Sequence, residues 1–560
     1  MFGLPPRMPI VGPEILRGLE INPVAAELAR TTVWIGDIQW AVRNGIYSRP
    51  EPILRRLDGI ECRDALISTS DEAAGGTARA VETSWPTAEF IVGNPPFLGG
   101  KMLRRNLGDA SVEALFETYR GRVPAEADLV TYWFEKARAE IERGDTRRAG
   151  FVTTNSIRGG ANRRVLERIL DTAPITSAWS DEPWTIDGAA VRVSLVCFGK
   201  ALANEAVELD GVAVERIHPD LTGVGANLTG VRRLAENLGV AFMGNTKGGA
   251  FDVPGEVARA WLTAPLNVNG RPNADVLRPW INGLDIARRP RDMWIIDFNA
   301  MNSDNEAAFY EGPFMHVLAN VKPERITNRR EIYARNWWKH VEARPRLQQA
   351  LDALPRHLVT PRVAKHRLFS WSYGRTVPDC RLFAFAREDD TFAGILQNRY
   401  HEAWSLGTCS WHGDGDDGGR PTYNSETCFE TFPFPKNLTP DIPAKNVAGE
   451  PNARRIAAAS RRLDDLRSAW LNPPDCTRLE REVVPGFPDR VVPCDEAAAT
   501  LLKKRTLTNL YNERPRWLTD AHAELDRAVA AAYGWPEDIG IDDALARLAL
   551  LNSERAAIEQ

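Results

Sequence analysis

The sequence of 560 residues has little of what a disulfide-bonded or metal-binding protein needs. Its seven cysteines lie far apart and form no CxxC pair, and its eight histidines form no pair at the spacing of metal ligands. This distribution argues against a disulfide scaffold and against a zinc site, and it is typical of proteins kept in a reducing cytosol. We therefore expect no metal in the functional site and a cytoplasmic location.

Long apolar runs are also missing. No stretch approaches the about 20 residues that a membrane helix needs. The start, MFGLPPRMPIVGPE, lacks the basic-then-apolar pattern of a secretory signal, so we expect no membrane partner. The content of 43% hydrophobic and 26% charged residues is typical of globular proteins. Because the net charge is −5, any nucleic-acid site must be a local basic patch.

The length predicts three or four structural units, at about 150 residues per domain. Residues 1–200 alternate strands and helices, which predicts an α/β unit with a mostly parallel, doubly wound sheet. The predicted strands are Ile15–Ile21, Ile60–Ile67, Phe90–Gly93, Ala149–Thr154, Ile175–Ser180 and Val191–Phe198. One predicted helix starts after the Asn22-Pro23 cap and runs through Ala41, and two others span Leu129–Arg143 and Asn162–Ala173.

The rest of the chain differs in composition. We treat residues 201–250 as a linker. Residues 251–437 are rich in Pro, Gly, Trp and Arg and predict a mixed α+β domain with short strands. Residues 438–560 predict a helical domain, with helical patterns over 452–471, 515–533 and 541–558.

The stretch AEFIVGNPPFLGGKM, residues 88–102, contains the most informative motif. A short apolar strand ends at Gly93, and Asn94-Pro95-Pro96-Phe97 follows. In an open α/β sheet, ligands bind beyond the carboxyl ends of the strands. The side-chain oxygen of Asn94 and the carbonyl of Pro95 can form two fixed acceptors, and Phe97 can offer a flat face. Two adjacent acceptors suit an exocyclic amine such as that of a nucleobase.

This tetrad resembles the NPPF/Y motif of amino-group DNA methyltransferases, which use S-adenosylmethionine (SAM). Further segments stand in the order found in MmeI-like DNA methyltransferases, and the resemblance extends over nearly all of the chain. Those segments are GLEINPVAAELARTTVWIGDIQW, IECRDALI, DLVTYWFEKA, GFVTTNSIRGG, AAVRVSLVCFGK, RPTYNSETCFETFPFP and LDRAVAAAYGWP. The family forms the modification part of single-chain type II restriction–modification proteins.

The resemblance implies a SAM-dependent methyltransferase acting on the N6 amine of adenine in double-stranded DNA. It assigns Asn94 and Pro95 to the amine, Phe97 to base stacking, Glu20 to the ribose of SAM and Asp64 to its adenine. It also implies a methyltransferase domain, a target recognition domain ending near residue 435 and a C-terminal helical segment. The tetrad alone leaves N4-cytosine open, since both bases offer an amine to the same acceptors.

One family motif is missing from the sequence. Methyltransferases of this fold open with a strand and a glycine-rich turn, typically DPACGSGxFL, whose backbone lies against the methionine part of SAM. Here the chain leads directly to what resembles the second strand, so we expect the first, central strand to be absent from the sheet. This favours a truncated or split product that needs an upstream polypeptide, or an inactive DNA-binding remnant.

DNA contacts are predicted from two regions. From Met315 to Arg381, fourteen Lys and Arg stand against five Asp and Glu, with aromatic residues interleaved. Basic residues neutralise phosphates, so we expect DNA contacts from this region. The candidates there are Lys339, Arg362, Lys365 and Arg367; in the first domain they are Lys101, Arg104 and Asn155. A solvated basic face with core tryptophans is the alternative, and Asn155 could instead cap a helix.

Overall fold

The computed structural model describes residues 11–45, 56–69, 80–186, 189–201, 205–223, 228, 230–412 and 420–559. The chain divides into two compact units, Met1–Val224 and Gly225–Gln560. Within the described ranges, no helix is long and apolar enough to cross a membrane. All seven cysteines are free thiols.

In its described residues, the first unit is built from ten strands and five α-helices. The strands are β1 (Gly18–Glu20), β2 (Ile60–Cys62), β3 (Ile67–Thr69), β4 (Ala80–Glu82), β5 (Phe90–Gly93), β6 (Arg148–Thr154), β7 (Ile175–Ile186), β8 (Ala189–Gly199), β9 (Val207–Leu209) and β10 (Val212–Val214). The helices are α1 (Pro23–Arg43), α2 (Leu103–Leu107), α3 (Asp109–Thr118), α4 (Val130–Arg143) and α5 (Gly160–Thr172).

The main sheet of this unit has six strands in the order β10-β9-β7-β8-β6-β5. The β5–β6 and β7–β9 pairs are parallel, whereas β6–β8, β7–β8 and β9–β10 are antiparallel. The prediction of a mostly parallel sheet is therefore wrong. The reason is the long β7–β8 hairpin, because antiparallel neighbours need only a short connection and parallel ones need a crossover.

Strands β1 and β2 form a separate parallel pair, and β3 and β4 form a separate antiparallel pair. Among the described residues, β1 therefore pairs with β2 alone and β5 with β6 alone. The side chains of Phe90 and Val92 on β5 are 55% and 86% exposed. Strands β1 and β2 thus lie in a different sheet from β5 and β6.

Local sequence explains where the first elements begin and end. The Asn22 side chain accepts hydrogen bonds from the amides of Val24 (2.9 Å) and Ala25 (3.3 Å), which confirms the predicted cap of α1. The predicted strand at 60–67 is broken, because Oδ1 of Asp64 accepts from the amides two and three residues on and bends the chain.

The core of the first unit lies between α4, α5 and the sheet. The ring centroid of Phe134 on α4 lies 5.1 Å from that of Phe151 on β6 and 5.8 Å from that of Phe198 on β8. The Glu135 side chain is fully buried, and its carboxylate accepts from Arg138 at 2.9 Å and from Arg168 at 3.3 Å. Pairing of this kind is what a buried carboxylate requires, and because Arg168 lies on α5, the pairing links α4 to α5.

The second unit contains two four-stranded sheets, of order β11-β18-β15-β16 and β12-β14-β13-β17, and two hairpins. Its strands are β11 (Ala241–Met243), β12 (Asp252–Pro254), β13 (Leu277–Ile281), β14 (Met293–Ile296), β15 (Arg356–Pro361), β16 (Ser370–Tyr373), β17 (Val377–Pro378), β18 (Leu382–Phe385), β19 (Ser410–His412), β20 (Arg420–Thr422), β21 (Thr477–Glu480) and β22 (Arg490–Pro493). Its helices are α6 (Gly255–Leu262), α7 (Gly283–Ala287), α8 (Asp304–Ala308), α9 (Glu311–Asn320), α10 (Lys322–Arg325), α11 (Glu331–Arg335), α12 (Pro345–Leu351), α13 (Asp390–Gln397), α14 (Arg399–Thr408), α15 (Ala444–Val447), α16 (Pro451–Leu471), α17 (Glu496–Leu502), α18 (Leu507–Glu513), α19 (Arg516–Tyr533) and α20 (Ile541–Ile558).

The C-terminal helices α16, α19 and α20 match the three predicted helical patterns within one residue at each end. They do not form a core of their own. Ile456 of α16 and Leu525 of α19 belong to the same buried cluster as Phe385 of β18 and Phe434. The buried core therefore continues across the domain boundary that we expected between residues 437 and 438.

Candidate active site

The Asn94-Pro95-Pro96-Phe97 tip lies directly beyond the carboxyl end of β5. Asn94 and Pro96 are exposed, Pro95 is buried and Phe97 is half-buried. The preceding Gly93 pairs with Phe151 of β6, and a β-carbon on Gly93 would lie 3.3 Å from the Phe151 ring. The tip is thus anchored through a close backbone approach to β6 and exposes its amide side chain.

The loop after β6 reaches the same edge of the sheet, because β5 and β6 are parallel neighbours. Asn155 is the first residue of a short 3-10 turn, and Thr154 occupies the cap position. The alternative that Asn155 caps a helix is therefore wrong. Its Nδ2 instead donates to Oδ1 of Asp181 at 2.8 Å, and Arg192 donates to the same oxygen at 2.8 Å. Its Oδ1 is buried and has no hydrogen-bond partner among the described residues.

Glu20 ends β1 and Asp64 follows β2, so both acids lie at the carboxyl end of the β1–β2 pair. Glu20 lies opposite Cys62, and the Arg63 amide donates to the Glu20 carbonyl at 3.0 Å. Each carboxylate already holds a backbone turn: Oε1 of Glu20 accepts from the Asn22 amide at 2.8 Å, and Oδ1 of Asp64 accepts from Leu66 at 2.7 Å. The structure therefore brings the two predicted acids together and also gives each a structural role.

The β1–β2 pair is tied to the segment that leads into β5. The indole nitrogen of Trp85 donates to the Ala65 carbonyl at 2.7 Å, and Arg63 donates to the Ser84 carbonyl at 2.9 Å. A cavity of about 380 Å³ lies at the other end of this pair. It is lined by Glu14, Arg17, Arg56, Leu57, Asp58, Gly59, Glu61 and Pro86. Because none of these is a predicted site residue, this cavity is not the predicted cofactor pocket.

The predicted cations of the first unit differ in their surroundings. Lys101 and Arg104 are both exposed. The Arg104 guanidinium, however, donates to Glu113 at 2.6 Å and to Asp109 at 3.3 Å. The hydrogen bond to Glu113, followed by that to Asp109, raises the pKa of Arg104. Two carboxylates therefore offset the charge that we expected Arg104 to offer to phosphate.

The predicted cations of the second unit differ in the same way. Arg362 and Lys365 are exposed in the loop between β15 and β16, and Lys339 is half-buried. Arg367 is only 9% exposed: its Nε donates to Ser405 at 3.1 Å, and its guanidinium lies 5.4 Å from the centre of the Tyr423 ring. The expected phosphate contact of Arg367 therefore does not fit this structure, because its side chain stabilises the interior.

The aromatic residues of the basic region form part of the core. Trp337, Trp338, Phe369 and Trp371 are each less than 9% exposed, whereas Tyr373 is 50% exposed. The alternative of core tryptophans under a basic surface describes them better than stacking on DNA. Among the described side chains, no group of three or more His, Cys, Asp or Glu could hold a metal ion.

One group at this edge was missed in the sequence. Asp128, Ser156 and Asn162 form a hydrogen-bonded cluster between the loops that follow β5 and β6. In the sequence, the only sign of this cluster was Asp128, an acid just before a predicted helix in the segment DLVTYWF. An acid at that position is common at the start of any helix, so it did not indicate a functional group.

Comparisons with known proteins agree with this architecture. The family described as "MmeI, DNA-methyltransferase domain" matches residues 10–207. The solved structure of the type IIL restriction–modification enzyme MmeI in complex with DNA is similar in fold, with a TM-score of 0.61 at 18% identity. The match covers 84% of this chain and 57% of that chain, so this chain spans little more than half of that enzyme.

A second solved structure, the type IIG restriction endonuclease BpuSI, overlaps 83% of this chain and 54% of its own at 10% identity. Its TM-score of 0.25 is too low to inform the fold. No curated protein matches the sequence. Residues 10–207 thus match the model of the MmeI DNA-methyltransferase domain, and the fold of the chain is similar to that of MmeI.

Proposed function

We propose that the chain is a SAM-dependent DNA methyltransferase that modifies the N6 amine of adenine in duplex DNA. The observation that carries this proposal is the exposed tip Asn94–Phe97, beyond the carboxyl end of a parallel strand in a domain that matches the MmeI methyltransferase family. We further propose that it is the modification part of a restriction–modification or related defence system in the bacterial cytoplasm, close to the nucleoid.

The chemistry of the acids fits the proposed cofactor. SAM offers ribose hydroxyls and an adenine amine as hydrogen-bond donors, and Glu20 and Asp64 place two carboxylate acceptors at one end of a parallel pair. Glu20 would hold the ribose and Asp64 the adenine. When bound, SAM supplies an electrophilic methyl group.

The tip would prepare the amine for methylation. Oδ1 of Asn94 and the carbonyl of Pro95 accept the two N–H groups of the exocyclic amine. The lone pair is thereby withdrawn from conjugation with the ring and would form the new N–C bond as the bond between the methyl group and the donor's sulfur breaks and leaves a thioether, while one amine proton is lost to solvent. Phe97 stacks on the base, which must first leave the duplex at a cost of a few kcal/mol. Asn94 and Pro95 thus orient the nucleophile, with no covalent enzyme intermediate and no metal.

Binding of the duplex would use the exposed cations rather than the buried one. Arg362, Lys365 and Lys101 are free to approach phosphates, and Lys339 is partly so. The MmeI structure that shares this fold was solved with DNA, which supports a duplex as substrate here. Each neutralised phosphate makes the affinity more dependent on salt.

A second candidate is an incomplete enzyme that needs a further polypeptide to bind SAM. Among the described residues, β1 pairs only with β2 and β5 only with β6, so each of these strands has an open edge. These open edges and the exposure of Val92 on β5 favour this candidate. The occupant would be a parallel strand ending in a glycine-rich turn, inserted between these edges. Without it, the chain would be a DNA-binding remnant.

Titration calorimetry of the chain with SAM separates the two candidates. Saturable binding by the chain alone supports the complete enzyme and rejects the remnant. No binding by the chain, followed by binding once an upstream fragment is added, establishes the two-part enzyme. If the modified base in treated DNA is N4-methylcytosine, the site is retained and the choice of adenine is wrong.

A further inference from the structure

We propose that Asp128 is a positioning residue that fixes the acceptor tip of β5 against the loop after β6. The inference rests on the proposed function and adds a residue that the family resemblance did not assign. Asp128 lies two residues before α4 begins at Val130. Its carboxylate reaches both loops: Oδ1 accepts from the Gly100 amide at 2.9 Å, and Oδ2 accepts from the Ser156 hydroxyl at 2.6 Å.

The loop that carries the tip, residues 94–100, depends on the segment around Asp128 for its path. The Leu129 amide donates to the Leu98 carbonyl at 2.8 Å. A side chain at Gly100 would overlap the carbonyl of Glu126, so the two backbones lie directly against each other. Two hydrogen bonds and a close backbone approach thus hold the end of the tip loop on the start of α4.

The loop after β6, residues 155–159, is held by a reciprocal pair. The Asp128 amide donates to Oδ1 of Asn162 at 2.7 Å, and Nδ2 of Asn162 donates to Oδ2 of Asp128 at 2.7 Å. Asn162 is 7% exposed on α5, and its Nδ2 also lies 3.1 Å from the Ser156 hydroxyl. The pair therefore connects α4, α5 and the loop after β6 through charge-assisted hydrogen bonds.

The position of these hydrogen bonds indicates what they do in the site. Both loops reach the carboxyl edge of neighbouring parallel strands, where a base held by Asn94 has to fit. Asp128 does not touch that base; it sets the distance between the tip and the opposite loop. A misplacement of about 1 Å in such a site can lower the rate about 100-fold.

A reciprocal exchange of the two side chains tests this role. Asp128→Asn replaces one of the two acceptor oxygens by a donor, so either the Gly100 amide or the amide of Asn162 loses its acceptor. Asn162→Asp places two carboxylates together. The double variant D128N/N162D restores one donor facing one acceptor. We expect kcat to fall at least tenfold in each single variant and to recover most of that loss in the double, with KM for SAM unchanged in all three. Asp145→Asn, beyond the other end of α4, is the matched control.

Hydrogen–deuterium exchange gives a readout that does not require turnover. Faster exchange of residues 98–101 and 155–159 in Asp128→Asn, reversed in the double variant, supports the proposal. Unchanged exchange there, a wild-type kcat in Asp128→Asn, or a double variant no better than the singles would overturn it. If the unmodified chain transfers no methyl group, the proposed function fails and with it the effect on rate. The exchange data still decide whether Asp128 fixes the two loops.

Discussion

Gly93 lies opposite Phe151 in the β5–β6 ladder, and a β-carbon on Gly93 would come within 3.3 Å of the Phe151 ring. That ring is only 4% exposed and packs on Phe134 and Phe198, so it has little room to move. The glycine therefore allows the strand to lie close to its neighbour at the residue that precedes Asn94.

Gly93→Ala is expected to destabilise the first unit by about 1–3 kcal/mol, the usual cost of overpacking. Thermal unfolding followed by circular dichroism measures this. Gly159→Ala is the control, because its β-carbon would meet no atom within 4 Å. Equal stability of the two variants would show that Phe151 can move aside.

Glu20→Gln is expected to weaken SAM binding by about 10- to 100-fold, since a hydrogen bond to a charged acceptor is worth about 1.5–3 kcal/mol. Calorimetry on folded protein gives the Kd. Glu89→Gln is the control: it makes the same change of charge at the amino end of β5, away from the proposed site, and should leave the Kd for SAM unchanged. Equal effects of both changes would mean that Glu20 acts only through net charge.

Lys365→Ala is expected to affect DNA binding, and Arg367→Ala is expected to affect stability. Lys365 is exposed, so its loss should weaken DNA binding and reduce the salt slope by about 1. Arg367 is buried and bonded to Ser405, so its loss should lower the unfolding temperature. Fluorescence anisotropy at several salt concentrations and thermal unfolding separate the two effects. A full loss of DNA binding by a stably folded Arg367→Ala protein would restore the original expectation for that residue.

Three histidines with lowered pKa values make the second unit sensitive to acid: His357 and His401 are buried and His522 is half-buried. Burial lowers the pKa of His357 to about 4, of His401 to about 3 and of His522 to about 4. Each folded pKa lies below the unfolded value, so the unfolded chain binds more protons and stability is lost as the pH falls below 6.5.

Asp526 acts in the opposite direction. Burial raises its pKa to about 6, so its contribution to stability is present at low pH and is lost as the pH rises through 6. Burial also raises the pKa of four other carboxyls in this unit, Glu236, Glu402, Glu430 and Asp464, which act in the same direction as Asp526, so the contribution of a histidine has to be isolated by mutation. Urea unfolding at pH 6 and pH 5 measures the slope of stability against pH, and His357→Phe should remove about one proton from it. The same pH dependence in His357→Phe and in the unmodified chain would contradict the burial of that ring.

The sequence predicted those parts of the fold that depend on local pattern. The apolar run before Asn94 and the alternation around Phe151 predicted β5 and β6, and Asn22-Pro23 predicted the start of α1. The helical periods at 452–471, 515–533 and 541–558 predicted α16, α19 and α20. In each case a local rule and the tertiary packing agree.

The remaining features depend on contacts between distant residues. Whether Arg367 faces solvent depends on Ser405 and Tyr423, far along the chain. The hydrogen bonds of Asp128 to Gly100 and Asn162 span 28 and 34 residues. Strand β8 lies between β6 and β7 and runs antiparallel to both, and the sequence pattern of a strand does not reveal which strands it pairs with. Such features could not be predicted from residue types and spacing.

Nucleoside mass spectrometry of DNA from cells that express the chain tests the central claim most directly. The account predicts N6-methyladenine in cells with the unmodified chain and its loss with Asn94→Ala, while DNA binding by the purified variant is retained. Modified adenine at the same level in the Asn94→Ala cells, or none with the unmodified chain, would contradict it.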